Sequence, residues 1–388
     1  RRTYEQVLLV EDGGAPLVRC PELPVFSTGP FDCRAVINPP APIVEAECSE
    51  WSWEFELYGD LTDPRTGIVM PGQLIGASTD QVLAGVAPGA YELHYIVEDA
   101  CGNRSVQVCS ITVRDSINPI AVCNEALNIS LGGARTTTEG IARVGVEELD
   151  EGSRDNCGLD RIEARRELSN ACVNTYSEQI WDLSFPEDFD REVAGESVYY
   201  RRGDDTLLVE EGGVLYTWWT TEALFFTCCD IGSRLEERVA LQLRVTDLAG
   251  LRNTCTLQVL IEDKLAPSCT VPDAAILCTE VDFDPVNPEA VAARFGAAAA
   301  IVDVDDNCGA AISEALSWSP GQCGDGVIER RFTVTDAAGL TGACTQRITV
   351  EAVNRYSVRF PADLSSMECG VVPADTLRYG SDACDILA

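Results

Sequence analysis

Hydrophobic and polar residues alternate over short stretches through most of the chain. Trp51, Trp53, Phe55 and Leu57 alternate with Ser52, Glu54 and Glu56, and Val239, Leu241, Leu243 and Val245 alternate with smaller or polar residues. A period of two belongs to a half-buried strand, with one face on a core and the other in water. Helical periodicity is scarce. Its best instance, Pro288 to Phe295 with the alanines that follow, predicts a short helix between strands. Short strands punctuated by Gly and Pro predict an all-β chain of tandem immunoglobulin-like β-sandwich modules, arranged as beads on a string.

A recurring junction divides the chain. Gln6-Val-Leu-Leu-Val-Glu-Asp12 leads to Pro16 and Cys20, Cys109-Ser-Ile-Thr-Val-Arg-Asp115 to Pro119 and Cys123, and Cys255 through Asp263 to Pro267 and Cys269. A worn copy runs from Cys344 through Val350 to Pro361. Each reads as a last strand ending in Asp, a short Pro linker, and the first strand of the next module. The predicted division is a last strand at 1–12, modules at 13–115, 116–263 and 264–352, and the start of an incomplete module at 353–388. A chain that enters on a last strand and stops soon after a new beginning reads as a window on a longer molecule, or as a subunit completed by strand donation.

A second landmark is a hairpin. Val97-Glu-Asp99-Ala-Cys-Gly102, Val245-Thr-Asp247-Leu-Ala-Gly250 and Val334-Thr-Asp336-Ala-Ala-Gly339 each precede a cysteine strand. Glycine supplies the positive φ that such a turn requires. In the returning strand Cys255 shares a face with Leu257, Val259 and Ile261, which aims its sulfur at the core.

These motifs, together with Ser-x-Asp155-Asn-Cys157-Gly and Asp305-Asp-Asn-Cys308-Gly, resemble the hyaline-repeat-like (HYR-like) immunoglobulin-fold modules of large secreted surface and adhesin proteins of Bacteroidetes-type bacteria. The resemblance covers nearly the whole chain. It implies a role in adhesin stalks, surface fibres or extracellular filaments, and implies no enzymatic activity.

Aligning the copies predicts disulfides. Cys20 pairs with Cys109 and Cys33 with Cys101 in the first module, Cys123 with Cys255 and Cys157 with Cys228 in the second, and Cys269 with Cys344 and Cys308 with Cys323 in the third. An extra pair, Cys172 with Cys229, staples the base of an insertion. Cys48, Cys278, Cys369 and Cys384 are left over, as buried thiols, as partners of residues beyond the chain, or as links between modules or chains.

Composition changes the picture in two ways. Eighteen cysteines with a single histidine suit a disulfide framework in an oxidising, extracellular compartment better than zinc or iron–sulfur ligation. A net charge of −35 argues against nucleic acid and anionic membrane as partners, and no apolar run suggests a membrane span. The expected partners are neighbouring modules of the same chain, or identical subunits in a fibre.

The insertion, about 176–226, concentrates Trp181, Tyr199, Tyr200, Tyr216, Trp218 and Trp219. Such residues form either the insertion's own core or a contact surface for a protein or glycan ligand. Calcium is the one cofactor the sequence admits, at Asp303, Asp305 and Asp306 and near the linker residues Asp12, Asp115 and Asp263, where it would stiffen a linker; solvated acidic turns are the competing reading. No catalytic constellation is present: His94 alternates with Leu93 and Tyr95 and reads as a surface imidazole near Glu92. Short glycan-acceptor patterns occur at Asp115-Ser, Asp205-Thr, Asp375-Thr, Asn103 and Asn128. The function these features predict is a structural repeat of an extracellular fibre or stalk, with a ligand-binding adhesin module as the alternative.

Overall fold

The structure, a computed structural model, describes residues 12–353 except 46–48, 63–64, 79, 126, 133–139, 186, 232–237 and 323. The expected partial modules at 1–12 and 353–388 therefore lie almost wholly outside the described residues, as do Cys48, Cys323, Cys369 and Cys384.

The described residues are all-β in architecture, a tandem series of three β-sandwiches. In the first, a five-stranded sheet has the order Phe26–Ser27, Arg104–Arg114, Gly89–Asp99, Trp51–Thr62, Val69–Ser78. Two short pairs cover it: Leu17–Arg19 with Ile43–Glu45, and Ala35–Ile37 with Leu83–Val86. The second has the order Asn128–Ser130, Arg252–Glu262, Arg238–Asp247, Leu159–Arg166, with Ile141–Gly145 paired to Ala223–Thr227. The third has the order Ala274–Leu277, Thr341–Glu351, Gly326–Asp336, Ala310–Pro320, with Ser268–Thr270 paired to Asp303–Asp305. In all three an early strand runs parallel to the last strand while the long hairpins are antiparallel.

Alternation sets the cores. Phe55, Leu57, Leu93 and Tyr95 lie inside the first sandwich, Leu241, Leu243, Leu257 and Val259 inside the second, and Ile276, Ile328 and Ile348 inside the third. Trp51, first in its alternating run, is exposed, because its strand begins beyond the edge of the core. Bridges Cys20–Cys109, Cys123–Cys255 and Cys269–Cys344 join the entry of each sandwich to its last strand. Pro288–Phe295 is a helix, capped by the Asn287 side chain, which accepts from the Glu289 and Ala290 N–H groups. It places Val291 in the third core.

The insertion has its own body. Asp190–Ala194, Ser197–Arg202, Asp205–Glu211 and Val214–Thr217 form an antiparallel sheet in chain order. Leu168, Val173, Tyr176, Phe189, Leu208 and Leu215 make its core, and Cys172–Cys229 closes its base.

Candidate functional site: the junctions between sandwiches

Among the described residues, two bridges cross from one sandwich to the next: Cys33–Cys157 and Cys228–Cys308. They replace three expected pairings, Cys33–Cys101, Cys157–Cys228 and Cys308–Cys323. Cys323 lies outside the described residues, and for the other two pairs the reason is placement at opposite poles. Cys101 lies in the Asp99–Asn103 turn, whose Asn103 amide donates to the Asp12 carbonyl at 3.2 Å, at the end where the chain enters the first sandwich. Cys33 lies at the other end, facing the second sandwich. The same reasoning separates Cys157, at the entry pole of the second sandwich, from Cys228 at its exit pole. Cys101 is a free, exposed cysteine. Cys278 is disulfide-bonded, which removes the buried-thiol reading, and its partner lies outside the described residues.

The Asp-Asn-Cys loops make the crossing. Asn156 donates through Nδ2 to Thr28 Oγ1 at 3.0 Å and to Asp115 Oδ1 at 3.4 Å, and Asn307 donates to Asp263 Oδ1 at 3.1 Å. Each asparagine thus grips the last residue of the preceding sandwich while the cysteine after it reaches back to form the bridge. The partners occupy non-equivalent positions. Cys33 sits in the loop before Ala35–Ile37, whereas Cys228 follows the strand Ala223–Thr227. One signal in the sequence bears on this: adjacent Cys228 and Cys229 take separate partners, Cys229 packing on the insertion's core and bridging to Cys172 while Cys228 lies against the core of the second sandwich and bridges to Cys308.

Gly140 adjoins this second bridge with φ +66°, and a Cβ there would run into the Cys228 sulfur and the Asn307 carbonyl. Both the left-handed backbone and the contact exclude a side chain. Gly140→Val is therefore expected to leave more thiol open to a native-state thiol reagent than in the unaltered chain, because the bridge cannot close; unchanged reactivity would show that the loop yields instead.

Aspartates gather at the same junctions. Asp263, Asp306 and Asp336 each bring a carboxylate oxygen within 4.8 Å of the others, and Asp115 and Asp155 approach in the same way. Each carboxylate is held by its own turn. Asp263 Oδ1 accepts from the Leu265 N–H at 3.0 Å, Asp306 Oδ2 from the Cys308 N–H at 3.0 Å, and Asp336 Oδ1 from the Leu340 N–H at 2.8 Å. Burial, together with the charges of Asp263 and Asp336, pushes the Asp306 pKa up. The expected set of Asp303, Asp305 and Asp306 does not converge: Asp303 and Asp305 are exposed on a strand, and only Asp306 turns into the junction.

The aromatic candidates divide. Trp181 packs edge-on against Tyr176 and Phe189, and Tyr200 packs against Phe185, all within the insertion's own core. Tyr216 and Trp219 flank the Arg165 guanidinium at 4.3 and 4.6 Å from their ring centroids, and Trp219 also meets Arg244 at 4.0 Å. Trp218, 39% exposed, lies edge-on to Tyr199 at 6.1 Å. His94 is half-buried, with Nε2 at 3.4 Å from Glu92 Oε2 and its ring beside Tyr58.

No family model and no curated protein matches this sequence. Among solved structures, mouse cadherin-23 EC22–24 is similar at 11% identity and TM-score 0.29, covering 87% of this chain and 99% of that one. Protocadherin gammaB7 EC3–6, described as a cis-dimer, gives 14% and 0.26, covering 88% and 78%. Fibronectin(III)-like modules of Clostridium thermocellum CbhA give 10% and 0.19, covering 64% and 94%. Scores this low say nothing of function, ligand or assembly. The class that the fold and the bridges define is a tandem, disulfide-fastened β-sandwich repeat protein.

Proposed function

We propose that this chain is a structural segment of an extracellular fibre, filament or adhesin stalk, in which the junctions rather than the sandwiches perform the function. Bridges crossing between consecutive sandwiches carry the reading. A bridge within a module stabilises only that module, whereas one between modules fixes their mutual orientation and gives tension a covalent route past the linker. Six disulfides between described cysteines also favour an oxidising compartment outside the cell. The acidic surface supports the same reading, since segments of like charge repel laterally and stay apart.

Small-angle scattering tests it. The oxidised chain is expected to show a single fixed maximum dimension and the scattering of a stiff particle, whereas Cys33→Ser with Cys228→Ser is expected to show the signature of flexibly linked beads. Equal flexibility in both would sink the shaft reading.

A second reading, a ligand-binding adhesin module, is supported by the exposed Trp218 beside Tyr199. A glycan array with the unaltered chain and with Trp218→Ala discriminates the two: binding that vanishes with the tryptophan would favour the ligand-binding reading.

A further inference from the structure

The junction between the second and third sandwiches brings together three aspartates from three separate elements: the last residue of one sandwich (Asp263), the loop before the first long strand of the next (Asp306), and its hairpin turn (Asp336). At the junction before it Asp115 and Asp155 meet in the same way, and Asp247 occupies the equivalent hairpin turn. In every case one carboxylate oxygen accepts from a backbone N–H of its own turn. In every case the other oxygen is buried and has no hydrogen-bond partner among the described residues. Asp263, Asp336 and Asn307 are 6, 7 and 7% exposed, and the Oδ1 of Asn307 is likewise unpartnered. Among the described ion pairs, none reaches any of these aspartates.

Buried carboxylates are ordinarily paired, and leaving an acceptor unmatched is costly. The first sandwich shows what the turn does when it closes by itself. There Asp99 Oδ2 accepts from the Asn103 side chain at 2.8 Å, and that bond holds its pKa below the usual carboxylate range. The second and third sandwiches carry Leu251 and Leu340 in the same place, with no side-chain amide to offer. Their glycine turns are otherwise alike, with φ of +85°, +86° and +84° at Gly102, Gly250 and Gly339. The open oxygens are therefore not a by-product of the turn.

We propose that Asp263, Asp306 and Asp336, with Asn307, bind a calcium ion that ties the second sandwich to the third. Three anionic oxygens and a neutral amide oxygen form an all-oxygen donor set of the kind a hard divalent cation takes. The three carboxylates, with oxygens within 4.8 Å of one another, fit around an ion that holds its ligands at about 2.3–2.6 Å, and Asn307 adjoins them through its bond to Asp263. Magnesium, with ligands near about 2.1 Å in a strict octahedron, suits this irregular set less well. The first junction repeats the residue types. The ion site stands whether or not the chain forms a shaft.

The sole lysine of the sequence supplies the test, because Lys264 directly follows Asp263 in the linker and is exposed. A lysine-specific endoprotease can cut this chain only there, and cutting requires the linker to open. With free calcium at about ten times its dissociation constant, cleavage is expected to slow about tenfold relative to chelator, with magnesium far weaker. Asp263→Asn with Asp336→Asn is expected to abolish the protection, whereas Asp303→Asn with Asp305→Asn retains it. Equal cleavage rates with and without calcium, or protection that survives Asp263→Asn with Asp336→Asn, would overturn the proposal. Calorimetric titration of the unaltered chain with calcium chloride gives a reading independent of variant folding: saturable heat is expected, and its absence would also overturn the site.

Discussion

Asp230→Ala is expected to lower the stability of the second sandwich and its insertion by about 3–5 kcal/mol, measured by thermal or urea unfolding. Asp230 makes a two-pronged contact with Arg166, whose side chain is fully buried; Arg166 Nη1 donates to Oδ2 at 2.9 Å and Nη2 donates to Oδ1. The carboxylate also accepts from the Thr227 N–H at 2.8 Å, and Nη1 donates to the Phe225 carbonyl at 2.7 Å. The pair thus ties the end of strand Leu159–Arg166 to the segment after Ala223–Thr227, where the insertion leaves and rejoins the sandwich. Removing only the anion leaves a guanidinium charge uncompensated between the Phe226 and Tyr176 rings. Replacing both partners, Arg166→Met with Asp230→Leu, is expected to cost much less, because neither charge then remains buried. A loss below about 1 kcal/mol for Asp230→Ala would show that water reaches the arginine and that the pair is not structural.

Cys228→Ser is expected to have the next largest effect. The bridge to Cys308 closes 80 residues of chain, and constraining a loop of that length is worth about 4.5 kcal/mol on the chain-entropy account. The loss has a particular distribution. The core of the second sandwich keeps Cys123–Cys255, and the insertion keeps Cys172–Cys229, so both retain their own folding. What is lost is the coupling between the second and third sandwiches, which then unfold as separate transitions in calorimetry. Cys229→Ser, one residue along, is expected to loosen the insertion and leave that coupling intact. If both variants give the same unfolding profile, the two neighbouring cysteines do not have the separate tasks assigned to them.

Much of the fold is legible in the sequence because it depends on local period. Val239 to Val245 and Cys255 to Ile261 announce paired strands by alternation, and Asp247 with Gly250 announces the turn between them. The bridges Cys20–Cys109, Cys123–Cys255 and Cys269–Cys344 are legible because entry strand and last strand recur at equivalent places in every copy. The crossing bridges are not legible by that route. Aligning copies assumes that partners occupy matching positions within one module, whereas Cys33 and Cys228 are not equivalent residues and their partners lie in the following module.

The aspartate site is hidden differently. With 63 acidic residues in the chain, no three stand out by composition, and Asp263, Asp306 and Asp336 meet only when the end of one sandwich is pressed against the entry pole of the next. Asp303 and Asp305 draw attention by their closeness in sequence, but strand alternation turns both toward solvent. Arg166 and Asp230 escape notice for the same reason, as charged residues whose burial is a tertiary fact.

The central claim, that consecutive sandwiches are covalently fastened to each other, is tested most directly by cutting the chain at Lys264. The protein is denatured without reductant, its free thiols are blocked, and a lysine-specific endoprotease divides it into 1–264 and 265–388. The account predicts that the two pieces migrate together until reductant is added, and that Cys228→Ser sets them apart without it. Pieces that separate from the unaltered chain before reduction would contradict it, and would show that the bridges close within each module.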